Sequence, residues 1–183
     1  MISAGTKSLL FGAHWPPHIL GVALAWRWLY GSWPTWKEFL TICVHDIGNI
    51  GCEQMEDGDG RQHPELGAVI AENMLGEEYG NLIRGHSKGY AESMGVPLSK
   101  LYAPDKLAIA FDTALFYTFR TRITGELGHY RSAGDAYHQP SKDDLDVPDA
   151  DWFRVVRARM IRGGLQHALT ILAPTGLGAL RGR

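Results

Sequence analysis

The spacing of apolar residues along the chain predicts a series of helices. The pattern begins after Pro16-Pro17, a pair that the first turn of a helix tolerates well. Apolar residues then recur every three or four positions, as they do on one face of a helix: Val22, Ala25, Trp26 and Leu29. His18 falls on this same face, so we expect its side chain to lie on the buried face of the helix.

The same periodicity predicts four more helices after a turn marked by Gly31 and Pro34. In the first of them we expect Phe39, Ile42 and Cys43 to face inward. The four predicted helices cover about 35–47, 63–74, 77–86 and 104–120.

Two stretches lack this periodicity. Residues 48–62 are rich in glycine and acidic residues and predict a loop. Residues 125–149 are poor in aliphatic residues, so we expect a long loop or a mobile flap there. A C-terminal helical extension is predicted over about 151–173, as a basic helix over 151–162 followed by another over 165–172. No stretch alternates as a strand does, and the predicted fold class is all-α.

Length and composition limit the classes of protein. A chain of 183 residues predicts a single domain over 1–183, with its core at about 11–120. A formal net charge of −2 gives no electrostatic reason to bind nucleic acid or acidic membranes. Cys43 and Cys52 are too few for a disulfide framework, no signal-peptide pattern is visible, and the longest apolar run ends at Arg27. We therefore expect a cytoplasmic protein without a membrane partner.

The histidines change this picture. His45-Asp46 ends an apolar helical run, and at the C-terminal end of a helix two neighbouring side chains can bend toward one metal ion, although within a helix they point about 100° apart. Four further candidate ligands lie on either side of the pair: His18, His63, His86 and Asp105. Imidazole and carboxylate together suit one or two divalent transition metals, namely Fe, Mn, Co, Ni or Zn.

These six residues divide into two predicted groups. His18, His45, Asp46 and Asp105 would hold one metal and leave positions open for water. His63 and His86 would add a second ion, with the Asp46 carboxylate as the bridge. Two neighbouring metals can activate a water and neutralise charge on a phosphoryl group.

The six candidate ligands lie in five short segments: HILGVALAW, VHDIG, HPELGA, IRGHS and APDKLA. These segments resemble the motifs of the HD-domain metal-dependent phosphohydrolase superfamily, and the resemblance covers about 11–112. It implies a helical bundle of about five core helices with the metals in its middle, held by the six ligands named above. The ligand order also resembles that of the diadenosine-tetraphosphate hydrolases and cyclic-dinucleotide phosphodiesterases, many of which have Lys where this chain has Asn49.

The resemblance implies a metal-dependent phosphohydrolase that acts on a small phosphorylated metabolite, with a nucleotide as the first expectation. A metal-bound hydroxide would attack phosphorus, with Asp46 holding the metals. Lys88 and His14 are expected to orient the phosphate, although His14 could instead be a metal ligand or have a structural role. Further substrate contacts are expected from Tyr90, Trp15 and Arg61. Arg61 could instead be a surface charge, as Arg84 and Lys106 are expected to be, and Asp112 is the reserve ligand.

Two other functions remain open at this point. Some HD proteins with six such ligands resemble mixed-valent di-iron oxygenases that cleave C–C or C–P bonds. A non-catalytic binding module stabilised by its metals would use the same residues. The tryptophans at 26, 28, 33 and 36 could build core or a subunit interface, which leaves a homo-oligomer open.

Overall fold

The computed structural model describes residues 2–14, 16–53, 61–133 and 146–176. Over these residues the chain forms α-helices and short 3-10 turns, with no strand, so the predicted all-α class is confirmed. The helices are α1 (Ala4–Phe11), α2 (Pro16–Tyr30), α3 (Trp36–Val44), α4 (His63–Leu75), α5 (Glu77–Arg84), α6 (Lys88–Met94), α7 (Tyr102–Leu107), α8 (Ala114–Thr124), α9 (Glu126–Ala133) and α10 (Asp149–Gly176). Trp15 and parts of both predicted loops, 54–60 and 134–145, lie outside the described residues.

Helix α3 begins with a capping box. The Thr35 side chain accepts from the Glu38 backbone amide, and the Glu38 carboxylate accepts from the Thr35 amide, which satisfies two amides of the first turn. The helix ends at Val44, and a 3-10 turn follows over Ile47–Asn49. The prediction that Phe39 and Cys43 face inward is wrong, because the buried face centres on Thr41 and Ile42 and both side chains lie to its exposed side.

Three groups of apolar side chains form the core. The first joins α2, α3 and the chain around α7, and α4 packs against α5 through the second. The third lies between α9 and α10. Their buried members are, in this order, Val22, Trp26, Ile42, Leu101 and Ala108; Ala68, Ala71 and Ile83; and Leu127, Trp152, Phe153 and Val156.

The predicted long helix over 104–120 is wrong, because the chain breaks between α7 and α8. A 3-10 turn covers Ala108–Phe111, and Asp112 is extended. Thr113 then caps α8 by accepting the amide of Phe116. The break also lets the Asp112 carboxylate receive two hydrogen bonds from the Arg120 guanidinium, at 2.9 and 2.5 Å. Local capping and this buried ion pair therefore outweigh the helical periodicity.

The predicted loop over 125–149 is wrong for its first part, where α9 forms. Its buried side carries Glu126 and Leu127, so a carboxylate and a single aliphatic residue face inward, a pattern that the apolar periodicity did not detect. The C-terminal extension is one helix, α10, rather than two. Packing against α7 and α8 outweighs the low helix propensity of Gly163-Gly164.

Large apolar side chains are divided between core and surface. Trp26 is fully buried, whereas Trp28, Trp33 and Trp36 are exposed. Within the part of the chain that the structure describes, no helix combines the length and the apolar character that crossing a bilayer requires.

Candidate metal centre

The fold brings all six predicted ligands together from five separate stretches of chain. Each lies at or near a helix end: His18 opens α2, His45 and Asp46 follow α3, His63 opens α4, His86 follows α5, and Asp105 lies in α7. They form two groups, His18, His45, Asp46 and Asp105, and Asp46, His63 and His86, and the ligand atoms within each group lie within 4.8 Å of one another. Each group could hold a metal ion.

In the first group, imidazole nitrogens meet two carboxylates. Nε2 of His18 lies 3.0 Å from Oδ1 of Asp105 and 3.7 Å from Oδ2 of Asp46. Nε2 of His45 lies 3.0 Å from the same Asp46 oxygen and 3.4 Å from Oδ1 of Asp105. Two nitrogens and two oxygens therefore surround one point.

The second group uses the other oxygen of Asp46. Its Oδ1 lies 3.5 Å from Nε2 of His63 and 3.4 Å from Nε2 of His86, and the two nitrogens are 3.3 Å apart. One carboxylate therefore serves both groups, with Oδ2 directed to the first and Oδ1 to the second.

Two of the histidines have a fixed tautomer. Nδ1 of His45 donates to the backbone carbonyl of Ile42, and Nδ1 of His86 donates to that of Ile83, each at 2.6 Å. A carbonyl oxygen only accepts, so in the neutral imidazole the proton lies on Nδ1 and Nε2 carries the lone pair that a metal ion would use. Backbone acceptors behind metal-binding histidines have this same role.

The donor set could hold a metal ion. Nε2 of His45 and Oδ2 of Asp46 are buried and make no hydrogen bond, although they lie 3.0 Å apart. Buried polar atoms without a hydrogen bond are costly and rare. A divalent cation bound between nitrogen and carboxylate oxygen donors would satisfy both atoms, and imidazole with carboxylate favours a transition metal over Mg or Ca.

Two glycines allow the second group to form. A Cβ on Gly48 would lie 2.0 Å from the backbone oxygen of His63, and one on Gly67 would lie 2.4 Å from that of Val44. The start of α4 can therefore approach the end of α3 only because neither position carries a side chain. This close approach delivers His63 to Asp46.

Burial and charge oppose each other in the metal-free centre. Burial alone would lower the pKa of His45, but the carboxylates of Asp46 and Asp105 hold that pKa well above its usual value. Burial would likewise raise the pKa of both carboxyl groups, yet the histidines around Asp46, and Lys106 and the histidines around Asp105, keep them well below the usual range. For His18 burial dominates and lowers the pKa.

A hydrogen-bonded chain of three residues supports His14 at the edge of the centre. The buried Glu126 carboxylate accepts from Ser8 Oγ at 2.5 Å, and Ser8 Oγ lies 2.7 Å from Nδ1 of His14. Ser8 donates to the carboxylate and so accepts from Nδ1–H, which leaves the lone pair on Nε2. That nitrogen lies 3.8 Å from Oδ2 of Asp46.

Ser8 and Glu126 are site residues that the sequence did not indicate. They are 118 positions apart, and no motif connects them. Glu126 also accepts from the Ala13 amide and from the hydroxyls of Thr124 and Tyr130. A carboxylate with this many donors holds the turn between α1 and α2 rigidly. The only sequence signal was an acidic residue directly after Gly125.

A cavity of about 940 Å³ opens beside the first group. His14, His18 and Asp105 form its edge, and Arg61 and Lys106 contribute cations to its lining. Nζ of Lys106 lies 2.9 Å from Oδ2 of Asp105. Lys106, which we expected to be a surface charge, therefore lies beside the centre.

The cavity does not include Lys88 or Tyr90, which were predicted to contact substrate. Lys88 is 51% exposed and pairs with Glu92 on the surface of α6. Tyr90 is buried, and its hydroxyl donates to Glu65. Asp112, the reserve ligand, pairs with Arg120 instead.

Comparisons with protein-family models, with curated proteins and with solved structures give no match for this chain.

Proposed function

We propose that the protein is a metal-dependent phosphohydrolase of the HD-domain type that acts on a small phosphorylated metabolite, with a nucleotide as the first candidate. The observation that carries this proposal is Asp46, whose two oxygens are directed to two different sets of imidazoles. A carboxylate placed in this way between two sets of nitrogen donors could bridge two neighbouring divalent ions.

Each ligand has a defined part in this proposal. His18, His45 and Asp105 would hold one ion, His63 and His86 the other, and Asp46 both. When bound, such ions lower the pKa of water and neutralise charge on a phosphoryl group.

The residues around the centre supply binding and orientation. Lys106 lines the same cavity as His18 and Asp105, so its ammonium group would pair with a phosphate oxygen there. His14 presents Nε2 with its lone pair toward the centre and can accept a hydrogen bond from a water or hydroxyl group in the cavity. The buried ligands keep bulk water away from the carboxylates, which strengthens their attraction for cations.

The proposal is tested by metal analysis followed by an anaerobic assay. Protein purified without added metal is analysed for Fe, Mn, Co, Ni and Zn, then loaded with each metal in turn. A panel of nucleotides and sugar phosphates is assayed for phosphate release without oxygen. We expect release that Asp46→Ala abolishes and that Asp151→Ala, at an exposed carboxylate on α10, does not change.

Two results would contradict the proposal. Iron-specific consumption of dioxygen without anaerobic phosphate release would identify an oxygenase. Absence of any turnover, together with a large loss of stability on chelation, would identify a structural metal module.

A further inference from the structure

The cavity extends away from the metal centre into an aromatic chamber. Beyond His18 and Asp105 its lining continues along α8, α9 and α10. The chamber residues are Ile109, Phe116, Tyr117, Tyr130, Trp152 and Met160. Four of these six side chains are aromatic.

We propose that the aromatic chamber binds a flat aromatic or heteroaromatic group of the substrate, such as a nucleobase, while the phosphate lies at the metal centre. This inference rests on the proposed function and adds to it the part of the substrate that determines specificity. Its basis is the continuity of one cavity from the ligands to the aromatic walls.

The volume of the cavity supports an organic group rather than phosphate alone. Ligand pockets in proteins usually measure about 300–1,000 Å³, and this cavity, at about 940 Å³, lies near the upper end. A phosphate ion would occupy only a small part of that space. The remainder fits a substituent that extends from the centre to α10.

The chemistry of the walls favours a flat ring over a sugar or a second charged group. Arg120 and Asp112, the charged residues on the α8 side, satisfy each other through two hydrogen bonds, and Arg120 also donates to the Gly12 carbonyl. Apart from Arg120, the lining residues on α8, α9 and α10 are aromatic or apolar. Bases of any identity stack on such side chains.

The polarity of the cavity also assigns an orientation. Lys106 and Arg61 line the cavity together with the metal ligands and would attract the phosphate. Trp152 and Tyr117 belong to the buried or partly buried apolar cluster between α9 and α10. A substrate with its phosphate at the metal centre and its ring between α9 and α10 would match the charged end and the apolar end of the cavity.

Helix α8 offers a matched pair of variants. Phe116 lines the chamber and is 39% exposed, whereas Phe119, on the same helix, does not line it and is 55% exposed. Phe116→Leu keeps an apolar side chain but removes the aromatic face, and Phe119→Leu makes the same change outside the chamber.

The experiment measures binding and hydrolysis with manganese-loaded protein. The probes are adenosine 5′-monophosphate against ribose 5-phosphate, and phenyl phosphate against methyl phosphate. We expect each aromatic ester to bind about tenfold or more tightly than its partner. Phe116→Leu should reduce this ratio of affinities by about fivefold or more, and Phe119→Leu should leave the ratio unchanged.

The outcomes separate this inference from the proposed function. If every ester is hydrolysed with the same efficiency, or if both variants behave alike, the chamber has no such role while the phosphohydrolase proposal stands. If no ester is hydrolysed, the proposed function fails. Equilibrium dialysis can then still test the inference by comparing the affinities for adenosine 5′-monophosphate and ribose 5-phosphate. Equal affinities would overturn it.

Discussion

Nε2 of His18 lies 3.0 Å from Oδ1 of Asp105, although 87 positions separate the two residues along the chain. The packing of α2 against α7 produces this contact. It closes the first group of ligands opposite His45 and Asp46. The centre therefore depends on tertiary packing, and its chemistry changes with the protonation of each ligand side chain.

The stability of the metal-free protein should fall as the pH rises from about 6.5 to 8.5. The pKa of His45 is raised in the folded chain, so its contribution is complete below the unfolded value of about 6.5 and is lost as the pH rises through the folded value. The pKa of His18 is lowered in the folded chain, so this residue changes the stability only below about pH 6.5. Urea unfolding in chelator should show a slope of up to about 1.4 kcal/mol per pH unit.

Saturating Mn²⁺ is the control for this slope. A metal ion takes the deprotonated imidazole, so its affinity increases with pH and offsets the loss. Equal stability of the metal-free protein at pH 6.5 and 8.5 would contradict the charge assignment of His45.

Lys106 and Lys88 form a matched pair of lysines for substrate binding. Lys106→Ala should raise KM for the best phosphate ester by about tenfold, since a charge-assisted hydrogen bond contributes about 1.5–3 kcal/mol. Lys88→Ala should leave KM unchanged, because that side chain pairs with Glu92 away from the cavity. Steady-state kinetics with unchanged metal content test this, and a larger effect at Lys88 would refute it.

Ser8 should act on turnover through His14 alone. His14→Ala and Ser8→Ala should each lower kcat, and the double variant should be no slower than His14→Ala. Of the groups that the Ser8 hydroxyl contacts, the His14 imidazole is the one that reaches the centre. Ser132→Ala, at an exposed serine of α9, is the control. Losses that add in the double variant would show that Ser8 serves the fold instead.

The ion pair between Arg120 and Asp112 should be a main support of the break between α7 and α8. Arg120 is 2% exposed, so Arg120→Ala leaves a carboxylate without its partner and should cost about 3 kcal/mol of unfolding free energy. Arg122→Ala, at a side chain 72% exposed, should cost less than about 1 kcal/mol. Urea denaturation compares the two, and equal losses would count against a supporting role for Arg120.

The sequence predicted the cluster of six histidine and aspartate side chains better than it predicted the surroundings of that cluster. Apolar periodicity and the His45-Asp46 pair lie within short stretches, so helix starts such as those of α2 and α4 and the six candidate ligands could be recognised locally. The contact of Glu126 with Ser8, the pairing of Arg120 with Asp112 and the aromatic chamber join distant parts of the chain. No periodicity within one element encodes such contacts, which is why α9 and the break before α8 were missed.

The most direct test of the account is the metal content of variants after loading with Mn²⁺ and removal of free ions. We expect about two ions per chain in the natural protein, about one in His63→Ala, and less than one in Asp46→Ala, because Asp46 serves both groups. Asp151→Ala should match the natural protein. Elemental analysis that finds unchanged metal in a folded Asp46→Ala variant would contradict the central claim that this carboxylate bridges two sites.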